Sequence, residues 1–185
     1  VDHQKLIQSY GQLILLADQL NKKNHTITNL DFGGGFGVLD HSNDTLDFIE
    51  WQKELENLLQ DKKYHIIFEP GRYIVAQSGE LITKVLYIKS SGDREIIITD
   101  ASFSEYLRPA LYEINPPVQT LSSSKELKNY DIAGGICEST DFLAKNINLP
   151  EVKVGDYLKF INVGAYGSSM SSTYNSRPRP VSYTH

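Results

Sequence analysis

Cysteine occurs once in these 185 residues, at Cys137, and methionine and tryptophan occur once each. One thiol cannot close an internal disulfide or supply a cysteine-based metal cluster, so no metal site is expected, and a reducing, cytoplasmic compartment fits. Basic residues are outnumbered, 18 Lys and Arg against 23 Asp and Glu, for a net charge of −5. Nucleic acid is therefore disfavoured as a partner, because phosphate binding needs a basic surface. No apolar run approaches the roughly 18–20 residues of a membrane span. No signal-peptide pattern, internal repeat or low-complexity tract is present. The chain opens "VDHQKLIQSY", without Met and inside a helical pattern, which suggests a piece of something longer.

Two textures alternate along what is there. Leu6, Ile7, Tyr10, Leu13, Ile14, Ala17 and Leu20 recur at spacings of three and four, which predicts an amphipathic first helix. "TITNLDF" is β-rich and runs into "GGGFG". A second helix is expected over about Thr45 to Gln60, with Leu46, Ile49, Leu55, Leu58 and Leu59 on one side and Asp44 as its N-cap. "YHIIFEPGR" is a short apolar strand that stops at Pro70-Gly71. Short, continuous apolar strands of this kind suit a parallel sheet buried on both faces, with ligands at the glycine-rich turns. After Gly79 the pattern becomes mainly antiparallel β. "ELITKVLYIK" and "REIIITD" are joined by "SSGD", a hairpin signal, and "KNYDIAG" and "GDYLKFINVGAYG" add two strands. A turn of helix is possible in "FSEYLRPALY". The expected organisation is an α/β portion over 1–78 and a β-rich domain over 79–185, with a polar, Pro-rich tail.

Four stretches could carry chemistry. The glycines of "DFGGGFG" would let backbone approach a ligand, with N–H groups that can hold phosphate. A tight βα turn explains them equally well, and G-x-G-x-x-G is not met, since Val38 occupies its last position. "FEPGR" sets Glu69 and Arg72 around a rigid turn at a strand end. A Glu there could keep a pyridinium nitrogen protonated, and Arg72 would suit phosphate or carboxylate. Arg108 and Tyr112 lie four apart in "LRPALY" and would share one helical face. Spacing alone favours a surface Arg and a half-buried Tyr. Tyr166 sits between glycines in "VGAYGSSM", where a core Tyr in a bend is the plainer reading. Cys137 lies between Gly-Gly and acids in "GGICESTDFLAK", although a lone Cys is most often a small buried hydrophobe.

Taken together, "LDFGGGFG", "FEPGRYIVAQSGELITKVLYIK", "LRPALY", "GGICESTDFLAK", "LPEVKVGDYL" and "GAYGSSMSSTYNSRPRP" resemble the C-terminal half of the diaminopimelate decarboxylases. These are fold-type III pyridoxal-phosphate enzymes. The resemblance runs from about Leu30 to Pro180. It implies α/β plus β architecture, with a partial (β/α)8 TIM-type barrel followed by a mainly antiparallel β domain. It implies decarboxylation of meso-2,6-diaminopimelate to L-lysine and CO2, with pyridoxal 5'-phosphate as cofactor and a homodimer with shared sites. An ornithine- or arginine-type decarboxylase and a non-catalytic, phosphate-binding or dimerising fragment are the alternatives.

The roles it implies fall on named residues. Gly34, Gly35, Gly71 and Arg72, with Pro70 shaping their turn, would hold the cofactor phosphate, and Glu69 would face the pyridine nitrogen. Tyr166 would touch phosphate and substrate. Arg72, Arg108 and Tyr112 would hold the substrate's distal carboxylate region, and Glu138 its distal amino group. Cys137 would donate a proton after CO2 leaves, its thiol form favoured by the neighbouring carboxylate. Cys137 and Glu138 would do this in the partner subunit's site. The chain departs from the family pattern at Gly135, usually Pro, and at Thr140, usually Gly, which alters loop stiffness. None of the thirteen lysines falls in a motif matching the family's cofactor-linking lysine.

Overall fold

A computed structural model describes residues 3–38, 46–92 and 94–183. The chain divides into two compact units, Val1–Ile74 and Val75–His185.

In the first unit, helix α1 (His3–Lys22) leads to strand β1 (Asn29–Asp31), and helix α2 (Phe48–Leu59) leads to strand β2 (His65–Ile67). The apolar stripe of α1 buries Tyr10, Ile14 and Ala17. Asn24, in the left-handed conformation, ends the helix. Asn21 then pins the entry to β1, donating to the Ile27 carbonyl at 3.0 Å and accepting from its N–H at 2.7 Å. The expected cap Asp44 lies outside the described residues. Asp47 caps α2, accepting from the N–H groups of Ile49 and Glu50. A helix starting at Phe48 turns Trp51, Leu55, Leu58 and Leu59 inward, so Ile49, expected on that side, is 84% exposed.

β1 and β2 pair in parallel, Asn29 opposite His65 and Asp31 opposite Ile67. The parallel pairing expected from the sequence is therefore present. Leu30, Phe32, Ile66 and Phe68 pack in one cluster with the inward stripes of both helices. The expectation of burial on both faces fails, because Asn29, Asp31, His65 and Ile67 are exposed. Strand side chains alternate between faces, and the described helices cover only one.

The short helix α3 (Gly71–Val75) closes the first unit, and the second runs through β3 (Leu81–Ser91), β4 (Arg94–Thr99), α4 (Arg108–Tyr112) and β5 (Val118–Thr120). It ends with β6 (Leu127–Ala133), β7 (Phe142–Pro150), β8 (Tyr157–Phe160) and α5 (Gly167–Met170). Six strands form one sheet in the order β5-β8-β3-β4-β6-β7. Its pairs are antiparallel except β4 with β6. The end strands β5 and β7 approach each other, curling the sheet into a nearly closed barrel. Asn115 bridges that seam, donating to the Lys145 carbonyl and accepting from its N–H, both at 2.8 Å. Val85, Ile97, Ile132, Leu143, Leu158 and Phe160 are wholly buried in its core.

β5 and β7 had no counterpart in the sequence reading. β5 is only three residues long. β7 is broken by Asn146 at φ 53°, a bulge that interrupts the apolar alternation. The buried Asp131 carboxylate holds the Asn146 N–H at 2.8 Å and Arg94 at 3.2 Å.

Candidate active site

Parallel pairing brings the two strand-end turns of the first unit to one edge. The Asp31 carboxylate accepts from Gly33 N–H at 2.8 Å and starts the glycine turn. Gly33 and Gly35 take φ values of +68° and +89°, which favour glycine. The Glu69 N–H donates to the Gly33 carbonyl at 2.7 Å. Gly34 lies directly on the second turn, where a Cβ would come 2.5 Å from the Glu69 carbonyl oxygen. Gly34, Glu69, Pro70, Gly71 and Arg72 are therefore neighbours, and the side chains of Glu69 and Arg72 face solvent. Beneath them Phe36 meets Phe48, Trp51, Phe68 and Tyr73 ring to ring. The result is bare, firmly backed backbone with one carboxylate and one guanidinium at its rim. That donor set fits a phosphorylated pyridine: backbone and Arg72 for phosphate, Glu69 for a ring nitrogen.

In the second unit, α4 is the single helical turn that Arg108 and Tyr112 require. The Arg108 guanidinium carbon lies 5.3 Å from the Tyr112 ring centroid and 5.6 Å from that of Tyr166. The structure thus joins three expected site residues through cation–π contacts. Tyr166 is not a core residue: it is 46% exposed and left-handed at φ 71°.

Cys137 is exposed rather than buried. It lies in the β6–β7 connection with Glu138. The Tyr174 hydroxyl donates to Glu138 Oε1 at 2.5 Å, and this bond holds the Tyr174 phenol above its usual ionisation range. Behind the loop, Asp141 and Glu105 are buried carboxylates. Asp141 accepts from Ile136 N–H and Phe103 N–H, both at 2.8 Å. Glu105 accepts from Ser102 N–H at 2.7 Å, from the hydroxyls of Ser102 and Ser104, and from Arg177 at 3.2 Å. Arg177 also donates to the Asp100 carbonyl. Burial pushes the Asp141 carboxyl above the usual aspartate range. The Phe103 and Ile136 N–H groups and the Arg177 charge oppose that shift.

Tyr174, Glu105 and Arg177 escaped the sequence reading as site elements. Their available signal was position, since Tyr174 and Arg177 lie inside "STYNSRPRP". Elsewhere, His3 with Glu50 and Glu54 brings three possible ligand atoms within 4.8 Å of one another. His3 Nε2 is 3.8 and 3.7 Å from the two carboxylates, which makes the group an ion-pair cluster when His3 is protonated. No helix among the described residues is long and apolar enough to cross a membrane.

Comparison with known proteins extends these observations. Residues 36–164 match the family model of the pyridoxal-dependent decarboxylase C-terminal sheet domain. A diaminopimelate decarboxylase of Helicobacter pylori is 39% identical over 181 residues, covering 97% of this chain and 45% of that protein. One from Haemophilus influenzae is 38% identical, covering 95% and 43%. The crystal structure of the Helicobacter pylori enzyme complexed with L-lysine superposes with a TM-score of 0.84 at 38% identity, over 97% of this chain and 45% of that one. A lysine/ornithine decarboxylase of Vibrio vulnificus, complexed with cadaverine, reaches a TM-score of 0.81 at 22% identity over 96% and 50%, which speaks for the fold alone. The chain spans a little under half the length of the diaminopimelate decarboxylases it matches.

Proposed function

The chain belongs to the pyridoxal-dependent decarboxylases, and on that premise we propose that the full-length enzyme converts meso-2,6-diaminopimelate to L-lysine and CO2. The observation that carries the substrate choice is the Arg108 guanidinium held against the Tyr112 and Tyr166 rings. A fixed planar cation is suited to a carboxylate. Diaminopimelate carries one at the end remote from the reaction, whereas ornithine carries only an ammonium. An ammonium opposite the half-buried Arg108 would meet like charge instead of a partner, which selects against it.

Pyridoxal phosphate, when bound, supplies the electron sink for loss of CO2. The chain's own residues then divide the remaining work. Gly34, Gly35, Gly71 and Arg72 bind the phosphate, Pro70 keeps their turn rigid, and Glu69 holds the ring nitrogen protonated. Tyr166 reaches both phosphate and substrate. Arg72, Arg108 and Tyr112 grip the distal carboxylate, and Glu138 the distal ammonium. Cys137 returns a proton from Sγ to the carbon that has lost CO2. A homodimer, in which the Cys137 loop serves the partner's site, and a cytoplasmic location complete the reading. Exposed Cys137 and Glu138 are consistent with a loop that reaches outward. The first unit belongs in a (β/α)8 barrel, with Asn29, Asp31, His65 and Ile67 turned to its interior.

In the full-length enzyme, Arg108→Ala should lower kcat/KM for diaminopimelate about a hundredfold or more, the range for unpairing a buried charge contact. Steady-state kinetics on diaminopimelate and ornithine check it. Preference for ornithine, or unchanged diaminopimelate turnover in the variant, sinks the assignment.

A further inference from the structure

We propose that Asp141 is a positioning residue, whose buried carboxylate fixes the backbone that presents Cys137 and Glu138. The inference rests on the roles assigned above to those two residues. Its basis is how the β6–β7 connection is held. The segment contains Gly134 and Gly135, which offer no side-chain restraint and the greatest backbone freedom. Cys137, Glu138, Ser139 and Thr140 are all exposed. Such a loop would wander unless fastened from below.

Asp141 fastens it at four points. One carboxylate oxygen accepts the N–H of Ile136, the residue immediately before Cys137. The other accepts the N–H of Phe103, tying the loop to the segment after β4. The Asp141 carbonyl accepts from Gly134 N–H at 3.1 Å and closes the loop's base. Asp141 N–H donates to the Glu138 carbonyl at 3.1 Å, so the span from Glu138 onward is tied as well. Gly134 is shaped for this carboxylate: a Cβ there would lie 2.4 Å from Asp141 Oδ2 and 2.4 Å from the Ser102 Cβ. Asp141 itself is 3% exposed. It touches neither the thiol nor the Glu138 carboxylate by any of these bonds. Its action is on the backbone that carries them, at Ile136 N–H and the Glu138 carbonyl.

Asparagine tests the idea at nearly constant shape. Its amide carries one acceptor oxygen and a donor NH2, so it cannot accept from both Ile136 and Phe103. In the full-length enzyme, Asp141→Asn should speed amide hydrogen exchange at Ile136 or Phe103 about tenfold or more, with Val85 and Ile97 in the sheet core unmoved. It should lower kcat on diaminopimelate about a hundredfold, because a displaced Cys137 costs turnover, and raise KM several-fold, because a displaced Glu138 loosens the grip on the distal ammonium, while bound pyridoxal phosphate is retained. Retained protection at both amides overturns the proposal, and so does an unchanged kcat. If the variant does not fold, the wild-type enzyme decides: an Ile136 amide exchanging as fast as that of Ser139 overturns the clamp. A wild-type enzyme inactive on diaminopimelate would sink the functional reading while leaving the exchange experiment intact.

Discussion

The two units hold their candidate residues in different ways. In the first, two strands carry helices on one face and leave Asn29, Asp31, His65 and Ile67 open on the other. Its glycine turn and its Glu-Pro-Gly-Arg turn are fixed by backbone contact, Gly34 against the Glu69 carbonyl. In the second, a curled sheet closes on a core in which Ile97, Ile132 and Phe160 have no exposure. There the Cys137 loop is fixed by one buried carboxylate, that of Asp141. Parallel strand ends deliver backbone to a ligand, while a β connection needs polar side chains to stiffen it.

Core truncation should separate the units most strongly. Ile97→Ala removes a side chain enclosed on every side and should cost about 4 kcal/mol, near the upper end for such changes. Leu30→Ala, in a unit with one open sheet face, should cost about 2 kcal/mol, because a less enclosed site relaxes more readily. Urea unfolding of both variants checks the order. Equal losses would show that the first unit packs as tightly as the second.

Glycine substitution is the next sharper cut. A Cβ at Gly34 meets backbone, 2.5 Å from an oxygen that cannot turn aside. A Cβ at Gly134 meets the Asp141 carboxylate and Ser102. Both Gly→Ala changes should cost about 1–3 kcal/mol, the range for overpacking. Their functional signatures should differ. Gly34→Ala should weaken retention of pyridoxal phosphate, followed by absorbance during dialysis, whereas Gly134→Ala should retain it and lose turnover. Equal cofactor loss in both would break the division of labour.

What was legible in the sequence follows the same division. The parallel pair was readable because both strands are short apolar runs that end in glycine-rich turns, although Leu30, Phe32, Ile66 and Phe68 alternate with exposed residues. So was the hairpin of β3 and β4, from its turn residues, though Asp93 lies outside the described residues. The meeting of Arg108 with Tyr166 was not, since 58 residues separate them and only the closed sheet joins them. Spacing told against Arg108 and Tyr112, and the resemblance supplied them. β7 was hidden because its bulge at Asn146 answers to Asp131, a long-range hydrogen bond with no local signature. Cys137 was expected as a buried hydrophobe on base rates alone. Its exposure follows from the short connection that carries it, which no periodicity reveals.

The smallest effects lie in the acid range, where two aspartates should slope in opposite directions. In the first unit, hydrogen bonds from Lys62 and then Tyr64 hold the Asp18 carboxyl below the usual range. In the second, burial holds the Asp141 carboxyl above it. Stability rises with pH wherever the unfolded chain binds more protons than the folded one. For Asp18 the unfolded chain protonates first as pH falls. Its contribution is therefore complete above the ordinary aspartate pKa of about 3.9 and is lost as pH falls through the depressed folded value. For Asp141 the unfolded chain ionises first as pH rises. Its cost is absent below about 3.9 and grows as pH climbs to the raised folded value. Urea midpoints across this range should therefore show the deficit of Asp18→Asn against wild type widening as pH rises. The midpoint of Asp141→Asn, whatever constant offset its lost hydrogen bond imposes, should gain on wild type over the rise. Difference curves of the same slope would mean that Asp141 is not the desolvated carboxylate its burial implies.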